Sequence, residues 1–239
     1  MTPSFADLLP APDLTRPPLV LESVGVRFGG IVALEGIDFE LRPHETVAVV
    51  GQNGAGKSTL LNAISGLVAT TRGSRIVVRD RAIQRLPAWK RGRSGLGRAF
   101  QDPPLVDHMT CLDNLLVGAR LDDRDARERA TALLEVTGLA RHSGTHAAHL
   151  PYGVRKLVDI ARALMCVPSV LLLDEPASGL DESEQRTVAE LLALIKDSRR
   201  LAVLMVEHHM DLVESTADRA LVLDAGTVAR VGTPQEVLS

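Results

Sequence analysis

The sequence predicts an α/β protein: a mostly parallel sheet with helices on both faces, an N-terminal antiparallel β-subdomain, and an inserted α-helical subdomain over about 102–154. Three observations predict it. Thr46–Val50, Val170–Leu173 and Ala202–Val206 are short, continuous apolar runs of the kind found in strands buried on both faces, and helical stretches separate them. Residues 19–45 instead alternate apolar and polar around glycine signals, as in Val24-Gly25-Val26 and Ile37-Asp38-Phe39-Glu40-Leu41, which marks antiparallel strands. Between Asp102 and Val154 the strand signal disappears, and Asp113–Leu121 and Arg124–Thr137 carry apolar residues at helical spacing, with Gly138 placed to stop the second helix.

Taken in order, residues 1–18 hold five prolines and little periodicity, so a loose or disordered leader is expected, with the folded domain running from Leu19 to residue 239. After the antiparallel strands, Thr46–Val50 leads directly into Gly51-Gln52-Asn53-Gly54-Ala55-Gly56-Lys57-Ser58, a complete G-x-x-x-x-G-K-[ST] phosphate loop. Its glycines let the backbone bring successive N–H groups into one concavity that fits phosphate oxygens. Lys57 is one of only four lysines beside 23 arginines, and a compact ammonium fits between phosphates where a guanidinium fork does not. Ser58 and Thr59 open a helix expected to reach Leu67, placing the Ser58 hydroxyl to coordinate Mg²⁺ and the helix N-terminus toward the anion.

Farther along, Val170–Leu173 delivers Asp174 and Glu175 at the C-terminal end of a buried strand, where open α/β sheets place ligands. Asp174 is suited to hold Mg²⁺ and Glu175 to polarise an attacking water. Ala220–Leu223 and Thr227–Val231 flank Asp224-Ala225-Gly226 as a hairpin, and Thr233-Pro234 can open a last short helix.

Composition narrows the classes. The chain has 239 residues, 45% of them apolar and few aromatic, which supports one aliphatic core with an inserted subdomain. A formal charge of −3 argues against a nucleic-acid partner. The arginine cluster from Arg72 to Arg98 reads as a solvated loop surface. Cys111 and Cys166 match no metal or redox spacing and suit a reducing compartment. With no apolar run long enough to span a bilayer and no secretory signal, the expected place is intracellular, serving any membrane from outside the lipid.

The phosphate loop, Gln101 after Arg98-Ala99-Phe100, Leu150-Pro151-Tyr152-Gly153, Leu173-Asp174-Glu175-Pro176, Ser178-Gly179-Leu180-Asp181 and Glu207-His208 stand in the order found in ATP-binding-cassette (ABC) ATPases. The chain resembles that family from Leu19 onward. The resemblance implies a P-loop NTPase with a RecA-like sheet, ATP and Mg²⁺ as ligands, and ATP hydrolysis coupled to transmembrane transport. Phe28-Gly29-Gly30, Met109-Thr110 with Asn114, and Tyr-Gly in the 150–153 signature are most similar to ATPases of branched-chain amino-acid and related amide importers.

By this resemblance Phe28 stacks on adenine, Gln101 senses Mg²⁺ and the γ-phosphate, His208 contacts the γ-phosphate, and Asp181 lies at a dimer seam. Read without the family, Phe28 is as readily a core aromatic, Gln101 a surface amide, and His208 a helix cap with His209 as its rival. An exporter ATPase of the lipopolysaccharide type and a weakly hydrolysing regulatory subunit are the alternative functions.

One segment departs from the family. Its usual Leu-Ser-Gly-Gly-Gln or Leu-Ser-Tyr-Gly-Gln is here Leu150-Pro151-Tyr152-Gly153-Val154. The serine hydroxyl normally meets the γ-phosphate held by a partner subunit, and proline has neither hydroxyl nor N–H. Proline suits the first turn of a helix, so the helix itself is expected to survive. The resemblance therefore implies pairing with a second, different ATPase subunit, with a homodimer as the alternative. It further implies permease subunits docking near Gln101 and the insert, a substrate-binding protein met only indirectly, and a peripheral place on the cytoplasmic face of the inner or plasma membrane.

Overall fold

The computed structural model describes residues 5–9, 16–120 and 123–238. It opens with a short helix, α1 (Phe5–Leu8), which corrects the expectation of a wholly loose leader. Phe5 and Leu9 are buried in the main hydrophobic cluster. The physical reason is local: Phe5, Leu8 and Leu9 share one helical face, and the prolines at 10, 12, 17 and 18 lie beyond it. The remaining parts of that leader, residues 1–4 and 10–15, lie outside the described residues.

β1 (Leu19–Phe28) and β2 (Ile31–Leu41) form the expected antiparallel hairpin, with Leu19 opposite Leu41 and Phe28 opposite Ile31. The chain then enters β3 (Thr46–Val50), in which every residue is buried, and continues into α2 (Lys57–Ser65). α2 stops two residues short of the expected Leu67, because Gly66 turns left-handed at φ 81° and closes the helix on the Ala63 and Asn62 carbonyls.

β4 (Arg75–Val78) and β5 (Arg81–Ala82) return to the first sheet, giving the order β2-β1-β4-β5. After α3 (Ala88–Gly92), β6 (Leu96–Ala99) joins the second sheet. The arginine cluster is solvated as expected at Arg72, Arg75, Arg79, Arg81, Arg85 and Arg93, but the region is corrected from a loop to three strands and a helix. Within it Arg91 is buried and donates to the carbonyls of Leu86, Ala63, Ile64 and Gln84 at 2.6–2.9 Å, closing the carbonyl end of α2.

The insert contains α4 (Cys111–Val117) and α5 (Ala126–Val136). α4 starts two residues before Asp113 because Thr110 caps it, its hydroxyl accepting from Asp113 N at 3.1 Å. It ends at Val117, four residues before the expected Leu121, because Gly118 caps it with its N–H on the Leu115 and Leu116 carbonyls; Leu121 itself lies outside the described residues. α5 starts at Ala126, inside the expected 124–137 window, and Gly138 follows it at φ 71°. The side chain of buried Asn114 bonds Val106 N and the carbonyls of Val106, Met109 and Thr110, pinning the loop that leads into α4.

α6 (Tyr152–Leu164) leads back to β7 (Val170–Asp174), followed by α7 (Glu182–Ser198), β8 (Ala202–Val206), α8 (Met210–Thr216), β9 (Arg219–Asp224), β10 (Thr227–Gly232) and α9 (Pro234–Leu238). The second sheet runs β10-β9-β3-β8-β7-β6, with every neighbouring pair parallel except the β9–β10 hairpin. Successive strand residues point to opposite faces. Val47, Val49, Leu172 and Leu204 accordingly pack on α2 and the antiparallel sheet, while Ala48, Val50, Leu173 and Met205 pack on the helices of the other layer. No helix among the described residues is long and apolar enough to cross a membrane.

Candidate nucleotide-binding site

The phosphate loop leaves β3 at Val50 and wedges between the β9–β10 turn and β2. A side chain at Gly51 would place its Cβ 2.2 Å from Leu223 O, and one at Gly56 would come 2.8 Å from Ala33 O. Both glycines also hold positive φ, 148° and 100°, so the loop conformation depends on them twice over. Ala55 N donates back to Gln52 O at 3.1 Å, and Ala55 O accepts from Gly226 N, also at 3.1 Å. Lys57, only 7% exposed, lays its ammonium on Gly51 O and Gln52 O at 2.7 and 2.9 Å. Ser58, in the first turn of α2, donates its hydroxyl to Asp174 Oδ1 across 3.2 Å.

Asp174 ends β7, and its second oxygen accepts from Arg98 Nη2 at 3.0 Å. Glu175 follows in a left-handed backbone at φ 47°, a conformation uncommon outside glycine, and its N–H is held by Val206 O at 2.9 Å. Lys156, buried on α6, donates to Glu175 O at 2.8 Å. Burial lowers the Lys156 pKa, with the surrounding carboxylates opposing that shift. The turn so fixed aims the Glu175 carboxylate at Gln101, whose Nε2 donates to it at 2.8 Å. His208 Nδ1 stands 3.8 Å from the same carboxylate, with its side chain 52% exposed.

The two adjacent histidines separate by environment. His209 Nδ1 lies 2.7 Å from Oε1 of fully buried Glu207, which also accepts from the N–H groups of both histidines. Its other oxygen accepts from Ala177 N at 3.2 Å. His209 is therefore absorbed into the scaffold, while the half-exposed His208 ring stands between Glu207 Oε1, 3.5 Å from its Nδ1, and the Glu175 carboxylate.

Ser58 and Asp174 offer hard oxygen donors beside a phosphate loop, a donor set that fits Mg²⁺ and not a soft metal. Phe28 is 51% exposed at the β1–β2 tip, which corrects the core-aromatic alternative. Ala33 of the same hairpin lies against Gly56 of the phosphate loop and Gly226 of the β9–β10 turn, so the exposed ring stands on the strand pair that borders the loop.

The 150–154 segment sits at the start of α6. Pro151 occupies the N-cap at φ −55° and ψ 152°, and its carbonyl accepts from Arg155 N at 3.0 Å. This corrects the first-turn placement: proline stands one residue earlier, where a serine side chain would cap, and no side chain caps the helix. Leu150 is buried, Val154 packs on the main cluster, and Tyr152 Oη reaches Gln101 O and Asp102 Oδ1, both at 3.3 Å. A Cβ at Gly153 would lie 2.4 Å from Glu184 Oε1. Asp181 caps α7: its Oδ1 accepts from Ser183 N and Glu184 N at 2.8 and 2.9 Å, and Glu184 Oε2 returns a bond to Asp181 N. The Glu184 N–H, chiefly, lowers the Asp181 pKa.

The motif reading gave no role to Arg98, Lys156 or Glu207, although Arg98 and Glu207 stand in the quoted segments. Arg98 within Leu96–Phe100 and Glu207 at the end of the β8 run are charges set in or against apolar stretches, which is the signal that marks them, whereas Lys156 stands beside Arg155 and carries no such signal. The cysteines stay unpaired, Cys111 buried in the insert and Cys166 after α6.

A family model described as ABC transporter matches residues 34–178. The chain belongs to the ABC transporter family. This ABC ATPase is 35% identical to the high-affinity branched-chain amino acid transport ATP-binding protein LivG of Salmonella typhimurium, over 94% of each chain. It is 34% identical to BraF, the corresponding protein of Pseudomonas aeruginosa, again over 94% of each. Among solved structures, a nucleotide-free ATP-binding cassette from an ABC transporter superposes with a TM-score of 0.84 at 27% identity, covering 93% of this chain and 95% of that one. The ADP conformation of the cassette MJ1267 gives 0.83 at 27% identity over 94% and 95%. A dimeric post-hydrolysis state of the cassette MJ0796 with ADP and Pi gives 0.79 at 25% identity over 90% and 98%.

Proposed function

We propose that this ABC ATPase is the ATP-binding subunit of an importer for branched-chain amino acids or related amides, working at the cytoplasmic face of the membrane with permease subunits. One observation carries the catalytic part: Ser58, beside Lys57 at the start of α2, bonds Asp174 at the end of β7, and Glu175, the next residue, accepts from Gln101. The likeness to LivG and BraF carries the substrate class.

In this reading the 51–59 loop holds the ATP phosphates, Lys57 supplies the charge between them, and Phe28 lies against the adenine. Ser58 and Asp174, with Gln101 near, hold Mg²⁺, which when bound neutralises phosphate charge. Glu175 takes up a proton from the attacking water, and His208 contacts the γ-phosphate.

Residues 150–153 act on ATP held by a second subunit, with Asp181 at the seam between the two. Pro151 leaves that contact without a hydroxyl, a loss of about 1.5–3 kcal/mol for a charge-assisted hydrogen bond. The favoured assembly is therefore a heterodimer. Its competent site joins this chain's phosphate loop to an intact signature from a different ATPase subunit, and its other site is weakened.

Reconstitution with the permease subunits, the second ATPase and a binding protein tests the reading. ATP-dependent leucine uptake that disappears with Lys57→Ala is the expected result; uptake indifferent to that change overturns it. ATP hydrolysis by this chain alone at the rate of a symmetric ATPase, with no gain from Pro151→Ser, overturns the heterodimer and favours a homodimer.

A further inference from the structure

The motifs that define the site give Arg98 no role, yet it makes a close charged contact to the acid placed to hold the metal. Its side chain and that of Asp174 are each 8% exposed. The guanidinium spends its two terminal nitrogens separately: Nη2 on Asp174 Oδ2 at 3.0 Å, Nη1 on the hydroxyl of Ser65 in the last turn of α2. Its flat face lies 4.7 Å from the Phe100 ring centre. Ser65 in turn donates to Leu61 O at 2.7 Å, so the anchor is fixed to α2.

The other oxygen of Asp174 receives the Ser58 hydroxyl. Asp174 is thus gripped from both sides, and one helix supplies both grips, Ser58 at its start directly and Ser65 at its end through Arg98. Burial disfavours the charged guanidinium, and Asp174 opposes that cost as its partner.

We infer that Arg98 is a positioning residue for the divalent cation: by occupying Asp174 Oδ2 it leaves Oδ1 turned toward Ser58, the side on which the phosphate loop lies. This rests on the nucleotide-site reading above. A buried carboxylate that loses its guanidinium partner is free to rotate, and that weakens its hold on a metal. Removing a hydrogen-bonded partner of a metal-binding carboxylate typically weakens metal affinity by about 10–100-fold. Lysine at this position keeps a charge but has no planar fork to span Asp174 and Ser65.

The test uses the full chain with ADP and Mn²⁺ as the spectroscopic probe. Mn²⁺ binding to the ADP complex is followed by electron paramagnetic resonance, and ADP affinity is measured separately in excess EDTA. Arg98→Met is expected to weaken Mn²⁺ binding about tenfold, Arg98→Lys about threefold, and both should leave EDTA-measured ADP affinity within twofold of the parent. Ser65→Ala removes the lateral anchor alone and should weaken Mn²⁺ binding about two- to threefold, less than loss of Arg98 because the guanidinium keeps its bond to Asp174. That variant keeps the test open if Arg98→Met does not fold.

Mn²⁺ binding unchanged in Arg98→Lys and Ser65→Ala overturns the inference. So does an equal loss of ADP affinity in EDTA, because that is what general damage to the site produces. A parent protein that binds no ADP at all overturns the nucleotide-site reading itself, a distinguishable failure.

Discussion

Gln101 Nε2 donates to Glu175 Oε2 across 2.8 Å, although the two residues lie 74 positions apart in the chain. Strand register accounts for this. β6 and β7 are adjacent and parallel, with Ala99 opposite Leu173, so each of the two residues emerges two positions past the last paired row. Gln101 also begins the segment leading into the helical insert. The amide–carboxylate bond therefore joins the first residues of the insert to the acid read as the water-activating group.

Glu175→Gln keeps the size and the bonding reach of the side chain and removes its basicity. Phosphate release should fall by at least about 100-fold, the lower bound for losing a positioned general base. Nucleotide binding should persist, because the phosphate loop is untouched. Single-turnover phosphate release beside equilibrium ATP binding checks both; full phosphate release in the variant would remove Glu175 from the role.

Lys57→Ala should act on the loop as well as on the nucleotide. Without the ammonium, the carbonyls of Gly51 and Gln52 lose the bonds that Nζ makes to them. Faster amide hydrogen exchange over residues 51–56 is expected even with no nucleotide added, together with at least a tenfold loss of ATP affinity, about that of one charge-assisted contact. Exchange rates identical to the parent would show that the lysine does not hold the loop.

Gly153→Ala should destabilise α7, a helix whose first residue lies 29 positions away at Glu182. The new methyl would meet Glu184 Oε1 at 2.4 Å, forcing that side chain out of its bond to Asp181 N. Loss of a helix cap costs about 1 kcal/mol. Thermal unfolding should shift down by about 2–4 °C, the scale for a chain of this size. Glu184→Ala should cost a similar amount and the double variant little more, because both remove the same cap; full additivity would refute the shared mechanism.

The Cys111 thiol is pushed up to about 11 by burial. It stays protonated in the folded chain at pH values where an exposed cysteine of the unfolded chain has already ionised. Folding stability is then fully present below the ordinary thiol range and falls as pH rises from about 9 toward 11, since the unfolded state releases a proton the folded state retains. Denaturant melts across that range should show the decline, and Cys111→Ala should lessen it, the remainder belonging to Cys166, whose thiol burial also pushes up to about 11. At pH 8, alkylation of Cys111 should be limited by unfolding; rapid labelling of the native chain would contradict its burial.

The parallel strands were legible because full burial on both faces leaves an unbroken aliphatic run, as in Thr46–Val50. β4 was not: Ile76-Val77-Val78 stands among arginines, and four residues are too few to set a period against that charge. Helix ends moved by two residues where a single side chain or backbone angle decides them, Thr110 at the start of α4 and Gly66 at the end of α2. α1 escaped notice because one apolar turn beside prolines shows no repeat. In the site, the contiguous phosphate loop and the Asp174-Glu175 pair could be read directly. Arg98, Lys156 and Glu207 gain their meaning only from residues on other elements, which spacing along the chain does not express.

α1 touches α5 of the insert on one side and α7 of the sheet layer on the other, with Phe5 and Leu9 buried in the cluster they share. Mechanically it is a strut between two bodies that the rest of the chain joins through Gln101 and α6. A displacement of the insert relative to α7 would have to break the packing of Phe5 and Leu9, so the N-terminal turn holds the two together. Shortening the chain at this point would soften the machine without touching a single atom of its chemistry.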